Sequence, residues 1–288
     1  MDAMNITAPP PFTTKTMQTP ARSLDEKLSW TAHQATAKPL QFALTADELT
    51  RYHEQGFLVK RGLVADFAET MQTQADALLA MEELQVDGNL RLDLTRDARI
   101  WKIDPFADLH PFWSRLTRDR RIADVLATIY EGREPRLLKD KLIYKPPHSQ
   151  GNALHQDYTW WQGLPTSAIS VCIAIDYTTI ANGATTLYPG LHKNGLINAP
   201  GELSFLDRKV VDGVEPEVVC AEPGDVIFFD CFTPHEAGPN TTDGFRRQIF
   251  LSYNDSADGE WHAAHYDHFF SYRIKGASEE DKVKKFFL

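Results

Sequence analysis

Ile169-Ser170-Val171-Cys172-Ile173-Ala174-Ile175-Asp176 alternates large aliphatic side chains with small or polar ones. A period of two sets Ile169, Val171, Ile173 and Ile175 on one face, and Ser170, Cys172, Ala174 and Asp176 on the other. This is the pattern of a strand whose two faces meet different surroundings. On either side of it the chain is cut by Pro and Gly into further short runs of strand texture, at 136–145, 153–157, 185–188, 217–220, 226–229 and 246–253. Many short strands that follow a helical block predict a mainly β fold with flanking helices, a double-sheet jelly roll.

The helical block lies upstream. Thr45-Ala46-Asp47-Glu48 is a capping box, and the helix it opens stops at Gly56. A short strand follows at 57–62. Apolar spacing predicts a second helix over 66–84, and a third over 112–130 after a strand at 99–104. Residues 1–40, rich in Pro, Thr, Ala and Gln without a sustained period, are expected to be a mobile arm able to fold over the mouth of a site. Residues 41–288 are read as one jelly-roll domain. The stretch 192–216 is long for a loop in a compact domain, which points to a lid or an insert. The charged tail at 277–288 reads as a surface helix.

The formal net charge of −10 argues against broad nucleic-acid binding. No apolar run is long enough to span a membrane, and the first residues lack the pattern of a signal peptide. The three cysteines, Cys172, Cys220 and Cys231, have no zinc-type spacing. Together these features suit a cytoplasmic location and a small-molecule substrate; oligomeric state is not legible.

The chemistry centres on Leu154-His155-Gln156-Asp157-Tyr158. If the strand continues through Asp157, His155 and Asp157 point to the same side. An imidazole and a carboxylate there make two legs of a 2-His-1-carboxylate triad, the ligand set that holds non-haem Fe(II) and leaves positions open. His235, which ends the turn-and-strand run from Gly224, is the expected third leg. Arg246 follows His235 at an offset of eleven, beyond the turn-rich Gly238–Gly244. From the start of a neighbouring antiparallel strand, its guanidinium is placed to grip the far carboxylate of a keto-diacid. An isolated arginine is more often a surface ion-pair partner; following His155, Asp157 and His235 in order, Arg246 reads as a cosubstrate anchor.

The set Leu142-Ile143-Tyr144-Lys145-Pro146-Pro147, His155-Gln156-Asp157-Tyr158, Asn182-Gly183-Ala184-Thr185, Pro189-Gly190-Leu191-His192-Lys193, Gly224-Asp225-Val226-Ile227-Phe228-Phe229 and Gly244-Phe245-Arg246 resembles the phytanoyl-CoA dioxygenase family of Fe(II)/2-oxoglutarate-dependent oxygenases. His155-Gln156-Asp157-Tyr158 and Tyr253-Asn254 also resemble the ectoine hydroxylase branch. The resemblance implies a double-stranded β-helix (jelly roll, cupin-like), iron on His155, Asp157 and His235, 2-oxoglutarate on Arg246, and O2 as the third reactant. It further implies cosubstrate contacts from Lys102, Thr185 and Tyr144. Lys102 reads equally well as a strand lysine that reaches solvent, and Tyr144 as a half-buried strand tyrosine. Tyr158, Trp160 and Trp161, just after the first motif, are candidates for a substrate wall, with simple packing as the alternative for the indoles.

The expected activity is hydroxylation of an unactivated C–H in a small metabolite, with release of succinate and CO2. Desaturation, epimerisation or cyclisation by the same cofactors is the nearest alternative, and a non-enzymatic jelly-roll binding module is the alternative from another class. Asp157 argues against halogenation, which needs a ligand position vacated by Gly or Ala. His262, His265 and His268 recur every third residue, a spacing that suggests a second metal but lacks the carboxylate order such a site carries.

Overall fold

The structure is a computed structural model that describes residues 39–85 and 89–273. The expected arm over 1–40 lies outside the described residues but for its last two, as does the expected helix at 277–288.

Helix α1 (Ala46–Gln55) is capped as its sequence predicts: Thr45 and Glu48 exchange side-chain-to-backbone bonds, and Gly56 ends the helix at φ 85°. Strand β1 (Phe57–Lys60) leads to α2 (Ala68–Leu79), which ends earlier than expected because the chain tightens into a short turn at Glu82–Leu84. After β2 (Leu92–Leu94) and β3 (Ile100–Ile103), the helix expected over 112–130 is two helices, α3 (Pro111–Leu116) and α4 (Arg120–Ile129). The break falls where extended Asp119 accepts a hydrogen bond from Arg121 N, so a capping residue overrides the apolar period. The remaining strands are β4 (Pro135–Lys145), β5 (Asn152–His155), β6 (Ile169–Ala174), β7 (Thr185–Leu187), β8 (Glu217–Val219), β9 (Val226–Asp230), β10 (His235–Ala237) and β11 (Arg246–Asp255). Helix α5 (His262–Arg273) follows.

The strands make two antiparallel sheets. One runs β1-β9-β6-β11-β4-β3-β2, the other β5-β10-β7-β8. This corrects the expected double-stranded β-helix. Among the described residues both sheets are open and no ladder joins one to the other, so the fold is mixed α/β and not a closed jelly-roll barrel. The physical reason lies in strand length and in the helical block. The small sheet is built from strands of three or four residues, too short to curl round. The large sheet is widened instead by β1, β2 and β3, which belong to the segment that carries the helices.

The register shows why the alternation in β6 matters. Ile249 lies opposite both Leu142 and Ile173, and Leu251 opposite Val171. With Phe228 these form the outer face of the large sheet, packed on Met71, Leu78, Trp113, Ile122, Val125 and Leu126 of the helices. Each such side chain contributes about 1.5–3 kcal/mol on burial. The inner face presents Phe57, Cys172, Ile227 and Phe229, which meet Leu187 and Val219 of the small sheet. Two sheet faces are thus pressed together, and the polar residues that share them are held in the cleft between.

Candidate metal and cosubstrate site

His155 and His235 are direct partners across β5 and β10, with ring centroids 4.2 Å apart. Each ring is held by a backbone carbonyl two residues earlier: Nδ1 of His155 donates to Ala153 O at 2.8 Å, and Nδ1 of His235 to Thr233 O at 3.0 Å. That fixes the tautomer with a lone pair on each Nε2, which is how metal-binding imidazoles are prepared. Burial pushes both histidines down in pKa, His155 to about 3, so both are neutral ligands.

Asp157 arrives differently from expectation. β5 ends at His155, and Asp157 opens a 3-10 turn that runs to Trp160, so strand alternation does not bring the two residues together. Extended Gln156 swings the chain round instead. Its buried amide donates to Gly195 O and Phe232 O and accepts from Ile197 N, clamping the motif to the following loop. Oδ1 of Asp157 lies 3.9 Å from His155 Nε2 and 4.0 Å from His235 Nε2, while Oδ2 accepts a 2.5 Å hydrogen bond from Ser170. Burial alone would raise the Asp157 carboxyl, but His235, Lys141, His155 and the Ser170 hydroxyl outweigh it and hold it low.

One ligand atom from each of the three residues falls within 4.8 Å of the other two. Two neutral imidazoles and one carboxylate, all buried and on one side, fit a divalent iron with an open face. No other His/Cys/Asp/Glu group among the described residues meets the same criterion. The His262–His268 run forms a face of α5, where His262 pairs with Asp140 at 3.1 Å.

Arg246 is buried on the inner face at the start of β11. One Nη bonds Gln248 Oε1 and the other Gly183 O, while Nε and the Gln248 amide nitrogen have no partner. Lys145, opposite Arg246 on β4, donates to Gly238 O, and burial followed by the charge of Arg246 brings its pKa down to about 7. Burial lowers even Arg246, to about 10. A Cβ on Gly183 would strike Gly238 O and Lys145 Nζ, so this left-handed glycine (φ 81°) permits the close approach. Buried cations with orphaned donors fit a dicarboxylate such as 2-oxoglutarate.

The other expected contacts divide. Thr185 is buried on the small sheet near Cys172, whose thiol burial pushes up to about 12. Lys102 is engaged by Asp93 at 2.7 Å and Asp104 at 3.2 Å. Tyr144 is not brought to the site: strand alternation puts it on the outer face, where its hydroxyl donates to Ala75 O at 2.8 Å. Trp161 and Tyr158 pack with Leu164 and Cys231 in a separate cluster, against which half-buried Trp160 also rests. Trp160 meets Phe205 at 5.7 Å, and Phe205 stands edge-on to His155 at 6.1 Å. Phe205, 41% exposed, comes from the long loop after Lys193 and has no sequence signal. Ser170 does have one: it lies on the small-residue face of β6.

A family model, phytanoyl-CoA dioxygenase (PhyH), matches residues 52–248. The methylphosphonate hydroxylase of Gimesia maris is 36% identical over 134 residues, 46% of this chain and 51% of that protein, so the match spans about half of the relative's length. The ectoine dioxygenase of Sphingopyxis alaskensis is 28% identical over 73% of this chain and 76% of that protein. A crystal structure of EctD from S. alaskensis with 2-oxoglutarate and 5-hydroxyectoine superposes with a TM-score of 0.67 at 23% identity, covering 77% of this chain and 80% of that one. By this match and by its buried His-Asp-His set, the chain belongs to the phytanoyl-CoA dioxygenase family and is a non-haem Fe(II)/2-oxoglutarate-dependent oxygenase with likeness to the ectoine hydroxylase branch.

Proposed function

We propose that this oxygenase hydroxylates an unactivated C–H bond of a small metabolite, holding iron on His155, Asp157 and His235 and anchoring 2-oxoglutarate on Arg246. The observation that carries the reading is the inward convergence of two tautomer-fixed imidazoles and one carboxylate beside a buried, incompletely bonded guanidinium. Iron, 2-oxoglutarate and O2 together supply the oxidising power, with succinate and CO2 released. The protein's own work is placement. Ser170 holds one Asp157 oxygen so that the other faces the metal. Arg246, with Lys145 and Gln248 beside it, takes the distal carboxylate of the cosubstrate. Thr185 adds a hydroxyl on the facing sheet. Phe205 and Trp160 cover the His155 side of the cleft and keep water from it.

The test is 2-oxoglutarate-dependent succinate release by the iron-loaded protein across a panel of small metabolites, with products weighed by mass spectrometry. The panel includes ectoine and methylphosphonate, on which the two relatives act by name. A product that gains one oxygen atom is expected. Loss of two hydrogens, or no change of mass, identifies desaturation or isomerisation instead. No succinate release from any panel member above the substrate-free rate sinks the reading.

A further inference from the structure

Lys102, Lys139, Lys141 and Lys145 all project from the inner face of β3 and β4. The protein answers three of them. Lys102 pairs with Asp93 and Asp104, Lys139 pairs with Asp104 at 2.8 Å, and Lys145 donates to Gly238 O. Lys141 is different. Among the described residues neither a carboxylate nor a carbonyl pairs with it, and its ammonium lies 5.1 Å over the ring of Phe250. The register fixes where it points: Lys141 is opposite Phe250, which is opposite Cys172, on the face that looks into the cleft. Its charge reaches the triad, for it lowers the pKa of Asp157, His155 and His235 and of the Cys172 thiol.

A half-buried ammonium that the described residues leave without a counter-charge favours an anion brought from outside. The cosubstrate already has a cationic cradle in Arg246 and Lys145, one residue pair at the end of the β4–β11 ladder. Lys141 lies four residues further along β4. Phe250 holds the ammonium over its ring, a contact that orients the cation without neutralising it.

We propose that Lys141 is the substrate's anion subsite, so that the enzyme acts on a small molecule carrying a phosphonate or carboxylate group, which Lys141 grips while a neighbouring C–H faces the metal. This rests on the reading of the cleft as an iron and 2-oxoglutarate site, and it adds the chemical class of the substrate.

The experiment uses full-length protein loaded with Fe(II) and 2-oxoglutarate under nitrogen and titrated calorimetrically with methylphosphonate, propionate and the neutral ester dimethyl methylphosphonate. Wild type is expected to bind at least one anion and not the ester, the tighter anion identifying the head group. Lys141→Met should weaken that anion at least about tenfold, as loss of a charge-assisted contact does, and Lys141→Arg should restore it. The affinity for 2-oxoglutarate should stay at the wild-type value in Lys141→Met and fall in Arg246→Met. Equal binding of the ester, no binding of either anion, or an unchanged anion affinity in both Lys141→Met and Lys141→Gln overturns the proposal. So does a loss of 2-oxoglutarate in Lys141→Met that matches Arg246→Met, which would give the lysine to the cosubstrate. Wild type that holds no 2-oxoglutarate overturns the underlying reading; wild type that holds it and fails these comparisons overturns the Lys141 assignment alone.

Discussion

Without the Asp157 carboxylate, two imidazoles would face a divalent ion with nothing to balance its charge. Asp157→Ala and His235→Ala are therefore expected to lose both bound iron, read by metal analysis, and turnover. Ser170→Ala is milder: it frees one carboxylate oxygen, and iron affinity should fall about 10–100-fold, as is typical when a residue that orients a ligand is removed. Ser170→Thr, which keeps the hydroxyl, should recover most of it. At β11 two adjacent arginines separate cosubstrate from fold. Arg246→Ala should raise the 2-oxoglutarate requirement at least about thirtyfold, corresponding to a loss on the order of 2–5 kcal/mol. Arg247 points to the other face and pairs with Asp176 and Asp76, so Arg247→Ala should lower the melting temperature and leave that requirement alone. The ligand types were legible in the sequence because His-x-Asp, a distant histidine and an arginine at a fixed offset are local signals. Lys141 was not legible, because its meaning depends on which neighbouring lysines find carboxylates.

Elements explain the remaining differences between expectation and structure. Alternation in β6 reports two faces and so assigns Ser170 and Cys172 to the cleft. It does not report which strands meet at their edges, and on that point the closed barrel was misread. Tyr144 shows the same limit from the other side, since its neighbour Lys145 faces the cleft and Tyr144 cannot. The motif loop divides by its second indole. Trp161 is buried with Tyr158 and Leu164, whereas Trp160 leans on Phe205 above His155. Trp161→Ala should cost about 3–5 kcal/mol of stability with product formed per succinate unchanged. Phe205→Ala should do the reverse, with melting temperature nearly constant and less product per succinate, while Trp160→Ala, which also removes packing against that cluster, should lower both. Parallel loss of product yield in all three variants would contradict this division.

At the scale of the whole molecule, the C-terminal helix is fastened to the large sheet through a buried charge cluster. Tyr266 donates to Asp104 at 2.9 Å, and Asp104 also takes Lys139 and Lys102. Burial alone would raise the Asp104 carboxyl, but the two lysines hold it far below the usual carboxylate range. A depressed carboxylate contributes stability that is present above its unfolded value near 3.8 and lost as pH falls below it. Acid unfolding followed by circular dichroism should therefore steepen below about pH 4 in wild type. Asp104→Asn should lose about 3–5 kcal/mol at neutral pH and flatten that acid limb. Among the described residues no helix is long and apolar enough to cross a membrane. The cleft holds one more consequence. Cys172 and Cys231 are buried with thiols driven up in pKa, while Cys220 is exposed. Alkylating reagents attack the thiolate, so folded protein at neutral pH should consume one equivalent of iodoacetamide and unfolded protein three. The Cys172 thiol between the two sheets is thus kept in its inert form, and a count of reactive thiols during turnover that stays at one is the expected result.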